Sequence, residues 1–367
     1  MTANPTPKRI PELDGIRGIA CMLVLCWHYF GATLPPGDGA FVQAVAWLGP
    51  VGLSGVDLFF VLSGFLIGGI LHDQKASPHY YRTFYVRRVC RIFPVYYLVI
   101  GAMLLAIAVG LPDRFPAMND WLLKDLQPLW SYATFTQNIP MAIDGQAGGK
   151  WLAMSWSVAV EEQFYLLFPF VVRSLSLNQI RSVLIAGMLA SPLIRMYVTA
   201  EGWWFYTLLP CRFDCLGAGV LAALAYRSGE ARALIARRPV VLPALMGASL
   251  VGLKWFTAYH LTYTWIAVFY ASLLLLVVLT PGSVVARFFR ARILAMVGMV
   301  SYGVYMYHQA INGVLHAVLL NQPPTLATAM DFLVTLGSTA TTAAIALLSF
   351  RLVEKPLLRI GHRFGWT

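Results

Sequence analysis

Apolar runs of about 20 residues, the length of helix that crosses roughly 30 Å of hydrocarbon, recur from one end of this 367-residue chain to the other. A water-soluble core cannot absorb so many of them, because 59% of the residues are hydrophobic and only 12% are charged. The expected fold is therefore an all-α polytopic membrane protein, with ten transmembrane helices around a polar pore. The spans fall near 14–33, 51–71, 92–111, 154–173, 179–198, 206–226, 239–258, 262–281, 294–318 and 329–351, in one transmembrane domain over 1–367. The first run contains Arg17 and His28 and lacks a small-residue cleavage site, so it reads as a retained span and not a signal peptide.

An even number of spans puts both termini on one side. With that side cytoplasmic, Arg114, Lys124, Lys150, Arg195, Arg212 and Lys254 fall on or near the outside. The other 21 of the 27 Lys and Arg residues, from Lys8 and Arg9 to Arg363, then lie inside, as the positive-inside rule requires. The expected location is a bacterial-type inner (plasma) membrane with cytoplasmic N- and C-termini. Basic loops facing an anionic leaflet also account for the net charge of +11, so no nucleic-acid partner is called for. Cysteines 21, 26, 90, 211 and 215 show no paired ligand spacing, and neither a disulfide nor a metal is expected.

The one long polar connection, 113–150, contains "LWSYATFTQN", whose aromatic and β-branched residues suit packing over the mouth of a bundle. On the opposite side, "SPHYYRTFYVRRVCRIFP", bounded by Pro78 and Pro94, reads as a basic amphipathic helix at the cytoplasmic face. It carries Arg82, Arg87, Arg88 and Arg91. Arg88 and Arg91 are three apart and share a face, a spacing at which two guanidinium groups grip one phosphate-bearing ligand. A membrane-surface anchor is the other use of the same composition.

An ionisable side chain at the centre of a span costs roughly 2.5–3.5 kcal/mol even on the mildest scale, and this chain holds several. Arg17 and His28 are eleven residues apart in the first span, about three turns and about 16 Å along one face, with Cys21 between them and Asp14 just before. In the second, Asp57 needs an Arg or His from a neighbouring helix, while Gly64 and Gly68, with Ser63 beside them, permit close helix approach. In the fourth, "SWSVAVEEQFYLLFP" sets Glu161 and Glu162 about 100° apart, so that they face two neighbours. One can orient His28 and the other secure an Arg such as Arg212; Ser157 precedes Glu161 by one turn. In the sixth, Arg212 and Asp214 are two apart and must each pair with another helix. In the ninth, Ser301, Tyr305 and His308 form one stripe.

Taken in order, "ELDGIRGIACMLVLCWH", "GVDLFFVLSGFLI", "RRVCRIFPVYY", "SWSVAVEEQFYLLFP", "RFDCLGAG" and "SYGVYMYH" resemble the acyltransferase-3 family of integral membrane O-acyltransferases, over residues 9 to about 356. The resemblance implies transfer of an acyl group, commonly acetyl, from acyl-CoA (acetyl-CoA) to a hydroxyl of a sugar. The acceptors it implies are cell-surface polysaccharide, lipopolysaccharide or another glycoconjugate. The extracytoplasmic hydrolase-like domain of some members is not expected here.

On that reading Arg88 and Arg91, with Arg17 and the neighbouring Arg82 and Arg87, meet the phosphates of the donor. His28 is the general base on the acceptor hydroxyl, with Glu161 or Glu162 fixing its tautomer. Tyr305, Ser301 or His308 donates to the oxyanion. Asp14, Asp57, Ser157, Arg212 and Asp214 build the pore. An acyl-His28 or acyl-Ser intermediate is a competing route. A transporter or lipid-linked sugar flippase would use the same polar path without making a bond, but no internal repeat or matching pair of broken spans points that way.

Overall fold

A bilayer offers the backbone no hydrogen-bond partners, so a spanning segment must satisfy its own amides and carbonyls. The structure, a computed structural model, describes residues 10–37, 39–255 and 260–367, and among these every regular element is a helix. The main ones are α1 (Pro11–Cys26), α2 (Ala40–Leu53), α3 (Gly55–Asp73), α4 (Tyr80–Ala108), α5 (Ser155–Ser174) and α6 (Leu177–Ala200). They continue with α7 (Leu209–Arg227), α8 (Val241–Trp255), α9 (Thr262–Leu279), α10 (Arg292–Leu320), α11 (Ala329–Ser349) and α12 (Lys355–His362). Lys8, Arg9 and the last residues of the span expected at 239–258 lie outside the described residues.

Seven helical stretches among the described residues are long and apolar enough to cross a membrane, and an eighth is added if 229–237 and α8, bent by 81°, form one broken span. The chain is a multi-pass membrane protein, but this set is smaller than the ten spans read from the sequence. The difference has a physical source. Helices α5 and α10 are 20 and 29 residues long yet fall outside the set, because they carry Glu161, Glu162 and Gln163, and Tyr302, Tyr305, Tyr307 and His308. Those polar groups lie at the edge of the interior or within it: Glu161, Glu162 and Gln163 are half-buried next to the buried residues 155–160, and residues 303–310 of α10 are buried. By contrast α6 leaves Leu189, Leu193 and Tyr197 exposed on a lipid-facing side.

The helices approach at small residues, as the glycines of α3 led us to expect. A Cβ added to Gly64 would stand 2.0 Å from the Leu216 carbonyl oxygen, and one on Gly219 would stand 2.0 Å from that of Val61, so α3 and α7 touch backbone to backbone. Helix α1 lies on α10 in the same manner.

Two local features depart from the sequence reading. The separate surface helix expected at 77–94 is instead the first half of α4, which runs unbroken through Pro94. Helix α1 ends in a π-turn, Trp27–Gly31, closed by Ala32 N–H donating to the Trp27 carbonyl at 2.7 Å. Such turns recur at functional sites, and this one presents His28. The outer connection forms short helices, including Leu129–Ala133 and Asn138–Ile143. Between them Phe135, at φ 55°, stacks against Phe93 and Tyr96 of α4.

Candidate active site

Helices α1, α3, α4, α5 and α10 enclose a cavity of about 110 Å³ lined by Arg17, Arg88, Arg91, Ser63, Glu161 and Tyr165. A second cavity, of about 320 Å³, is lined by His28, Lys150, Gln309, Trp27, Trp156, Trp204, Tyr206 and Tyr263. Val56 and Tyr305 line both, so the two chambers lie end to end. The sequence placed Arg17 and His28 at two ends of one helix face, and each opens into a different chamber.

In the arginine chamber, Arg88 lies 5.7 Å from the Tyr165 ring centre and 5.9 Å from that of Phe84, and its Nε has no hydrogen-bond partner among the described residues. Arg17 donates to Asp14 at 3.1 Å. The Glu161 carboxyl faces the hydroxyls of Ser63 and Tyr165, which bond to each other, and the Arg88 charge acts on both Glu161 and Glu162. Glu162 Oε1 is buried without a partner. Arg82 and Arg87 do not join this set. Arg82 is exposed and lies over the Phe364 ring, while Arg87 donates to the Phe364 carbonyl at 2.9 Å and lies over Trp366. Helix α4 is continuous, so neighbours 87 and 88 point about 100° apart and only one can face the chamber.

In the second chamber, with both histidine rings neutral, the hydrogen bonds assign which nitrogen of each carries the proton. His308 Nδ1 lies 2.6 Å from the Tyr305 carbonyl oxygen, which only accepts, so Nδ1 carries the hydrogen. The neutral ring then has a lone pair on Nε2, 2.9 Å from His28 Nδ1, which must donate. His28 is left with an unprotonated Nε2. Tyr29 donates to the His308 carbonyl at 2.6 Å and fixes the pair from below. The expected orienting role of Glu161 or Glu162 is therefore corrected: His308 makes that contact, while Glu161 lines the other chamber with Arg88, whose charge also acts on Glu162. Nor does either hold Arg212, whose partner is Asp57.

At the junction, Tyr305 Oη lies 2.7 Å from Ser157 Oγ and 3.1 Å from the Met154 carbonyl, and Ser157 Oγ lies 3.0 Å from that same carbonyl. Both hydroxyl hydrogens are thus engaged across the passage. Ser301 donates to the Gly298 carbonyl of its own helix at 3.0 Å.

Asp57, Arg212 and Asp214 form the wall behind the second chamber. Arg212 pairs with Asp57 and lies 3.9 Å from the Tyr263 ring centre and 4.9 Å from that of Tyr206. Asp214 accepts from Arg195 at 2.9 Å, from Thr264 at 2.8 Å and from the Cys215 amide at 3.0 Å. Each charge of the sixth span thus pairs with a different helix, as its spacing required.

The sequence reading missed Lys150, Gln309 and the aromatic wall. Lys150 had counted only toward charge asymmetry; its setting in "GKWLAMSW", just ahead of a polar span, was the available signal. Burial lowers its ammonium from the ordinary lysine value.

The profile of the acyltransferase-3 family, described as an acyltransferase domain, matches residues 10–351. The chain belongs to this family. It is similar to O-acetyltransferase OatA of Staphylococcus aureus, with 25% identity over 98% of this chain and 58% of that protein. It is also similar to peptidoglycan O-acetyltransferase OatA of Listeria monocytogenes, with 26% identity over 98% and 57%. The putative peptidoglycan O-acetyltransferase YrhL of Bacillus subtilis shows 26% identity over 97% and 56%. The chain therefore spans less than three fifths of the length of these relatives. No solved structure matches it.

Proposed function

We propose that this acyltransferase domain moves an acetyl group from cytoplasmic acetyl-CoA to a hydroxyl of a cell-surface glycan. The observation that carries this reading is the pair of chambers meeting at Tyr305, with arginines lining one and His28, held through Nδ1 by His308, lining the other. Relatives named as peptidoglycan O-acetyltransferases make peptidoglycan the first acceptor class to test. Ten spans with both termini in the cytoplasm of a bacterial inner membrane complete the proposal, with α5 and α10 counted among the spans. That orientation agrees with the Lys and Arg asymmetry and turns the arginine chamber toward the cytoplasm.

In this scheme Arg88 and Arg91, with Arg17, hold phosphate oxygens of the donor; the unpartnered Arg88 Nε and the narrow, mostly apolar chamber suit an anion trailing a pantetheine arm. His28 Nε2 accepts the proton of the acceptor hydroxyl as its oxygen attacks the thioester carbonyl. When the tetrahedral intermediate collapses, the carbon–sulfur bond breaks and the same nitrogen returns the proton to the departing thiolate. His308 holds His28 in the required tautomer throughout. Tyr305 turns its hydroxyl from the Met154 carbonyl to the developing oxyanion.

The test is release of CoA from acetyl-CoA by the purified full chain in nanodiscs, with a panel of glycan acceptors. His28→Ala is expected to lower kcat by about 10²-fold or more while acetyl-CoA still binds. Arg88→Ala is expected to raise the acetyl-CoA KM about tenfold, in keeping with a lost charged hydrogen bond. Undiminished turnover in His28→Ala overturns the mechanism. A stoichiometric burst of CoA without acceptor would replace direct transfer by an acyl-enzyme.

A further inference from the structure

Five arginines of the described residues have a carboxylate beside them: Arg195 with Asp214, Arg212 with Asp57, Arg227 with Asp73, Arg290 with Glu12 and Arg17 with Asp14. Lys150 has no such partner. It is half-buried, it lines the larger chamber with His28, and among the described residues no carboxylate pairs with it and none lines that chamber. A cation held in such a place without its counter-charge is costly. An incoming anion removes that cost, whereas a neutral ligand leaves it in place.

The rest of the chamber has the form of a ligand site, with apolar walls and a few polar groups aimed inward. Trp204 and Tyr206 stack at 5.4 Å between ring centres and present a broad aromatic wall. Trp27 adds a further ring, seated where a Cβ on Gly49 would come within 2.8 Å of it. Gln309, only 8% exposed, lines the chamber with its side-chain oxygen unpartnered, a group placed to meet a ligand hydroxyl.

We propose that the larger chamber takes an anionic glycan, one bearing a carboxylate or phosphate near the hydroxyl to be acylated, and that Lys150 is the residue that recognises this charge. The inference rests on the acyltransferase reading for which bond is made, but not for which ligand binds. Charge complementarity here sets specificity: the anion fixes the register of the sugar on the aromatic wall and brings one hydroxyl to His28 Nε2.

Binding is measured with the full chain in nanodiscs and without donor, so the outcome does not depend on turnover. The probes are matched pairs: methyl glucuronide against methyl glucoside, N-acetylmuramic acid against N-acetylglucosamine, and N-acetylglucosamine 1-phosphate as the phosphate source. The wild type is expected to favour at least one anionic partner by tenfold or more, and the preferred anion identifies carboxylate or phosphate as the source. Lys150→Met should erase that preference and leave neutral affinity unchanged, and Lys150→Arg should restore most of it. Gln309→Leu should weaken neutral and anionic sugars alike, and melting curves report the folding of each variant. Equal affinity for every matched pair in the wild type overturns the proposal, as does a uniform loss in Lys150→Met. If the anionic preference is found but no CoA is released with any acceptor, the transferase reading falls and the ligand class stands.

Discussion

Between α3, α6 and α7 the buried charges are matched, Asp57 with Arg212 and Asp214 with Arg195, and the N–H groups of Arg212 left over lie against the face of Tyr263. Along the two chambers they are not matched. Arg88 Nε and the side-chain oxygen of Gln309 lack partners, and Lys150 lacks a counter-charge. Both regions place charge where the mean environment is apolar, and α3 contributes to both. A matched cluster holds helices in one arrangement. An unmatched one is stable only at the cost of desolvated groups, and what relieves that cost is a ligand. The contrast separates structural charge from functional charge without recourse to residue type, since each region contains arginines and carboxylates.

Removing one member of the matched cluster has the largest expected effect. Asp214→Ala leaves Arg195, fully buried, with its charge uncompensated, at a cost of about 3–5 kcal/mol. That is a large share of the net stability of an ordinary domain. The variant should melt well below the wild type in detergent and give little monodisperse protein. Pairing Arg195→Met with Asp214→Leu should recover much of the loss, because it removes both charges at once. A melting temperature unchanged in Asp214→Ala would dissolve the distinction between the two regions.

The need for a matched cluster was legible in the sequence but not its pairs, since helical spacing offers Arg212 a glutamate of α5 and names no partner for Arg195. A charge in a span must find a partner, and two charges two residues apart cannot use each other, so Arg212 and Asp214 had to reach separate helices. The small residues of α3 announced its close packing on α7 in the same way. The partner of His28 was not legible. The choice among Glu161, Glu162 and His308 depends on the level at which α5 and α10 pass α1, and helical periodicity reports the direction of a side chain but not its depth against a neighbour. The π-turn at Trp27–Gly31 is set by packing as well. Lys150 lies in a connection with no period to read. The polar interiors of α5 and α10 made them weak spans by hydropathy and strong candidates by chemistry, and the second reading located the chambers.

An intermediate effect is expected at His308, where the contrast can be sharpened. His308→Ala removes the acceptor for His28 Nδ1–H, and kcat should fall about 10²-fold with the acetyl-CoA KM unchanged. His308→Gln offers a side-chain oxygen in place of Nε2 and should restore part of the rate. Restoration marks a positioning role; equal losses in both variants would show that the second imidazole is needed for its own proton chemistry.

The smallest effect should come from the residue next to the strongest donor-binding candidate. Arg87 and Arg88 are adjacent in α4 and equal in charge, yet Arg87 donates to the Phe364 carbonyl and lies over the Trp366 ring while Arg88 lines the chamber. Arg87→Ala should leave the acetyl-CoA KM within about twofold and lower stability by no more than about 1 kcal/mol, the scale of an exposed cation–π contact. Setting it beside the tenfold change expected for Arg88→Ala cancels nonspecific electrostatics, because both substitutions remove one positive charge from the same turn. If Arg87→Ala weakens the donor as much as Arg88→Ala does, the basic face as a whole attracts the phosphates, and the place of Arg88 in the chamber wall has no functional meaning. A large difference between two neighbours of identical charge can arise only from where each points.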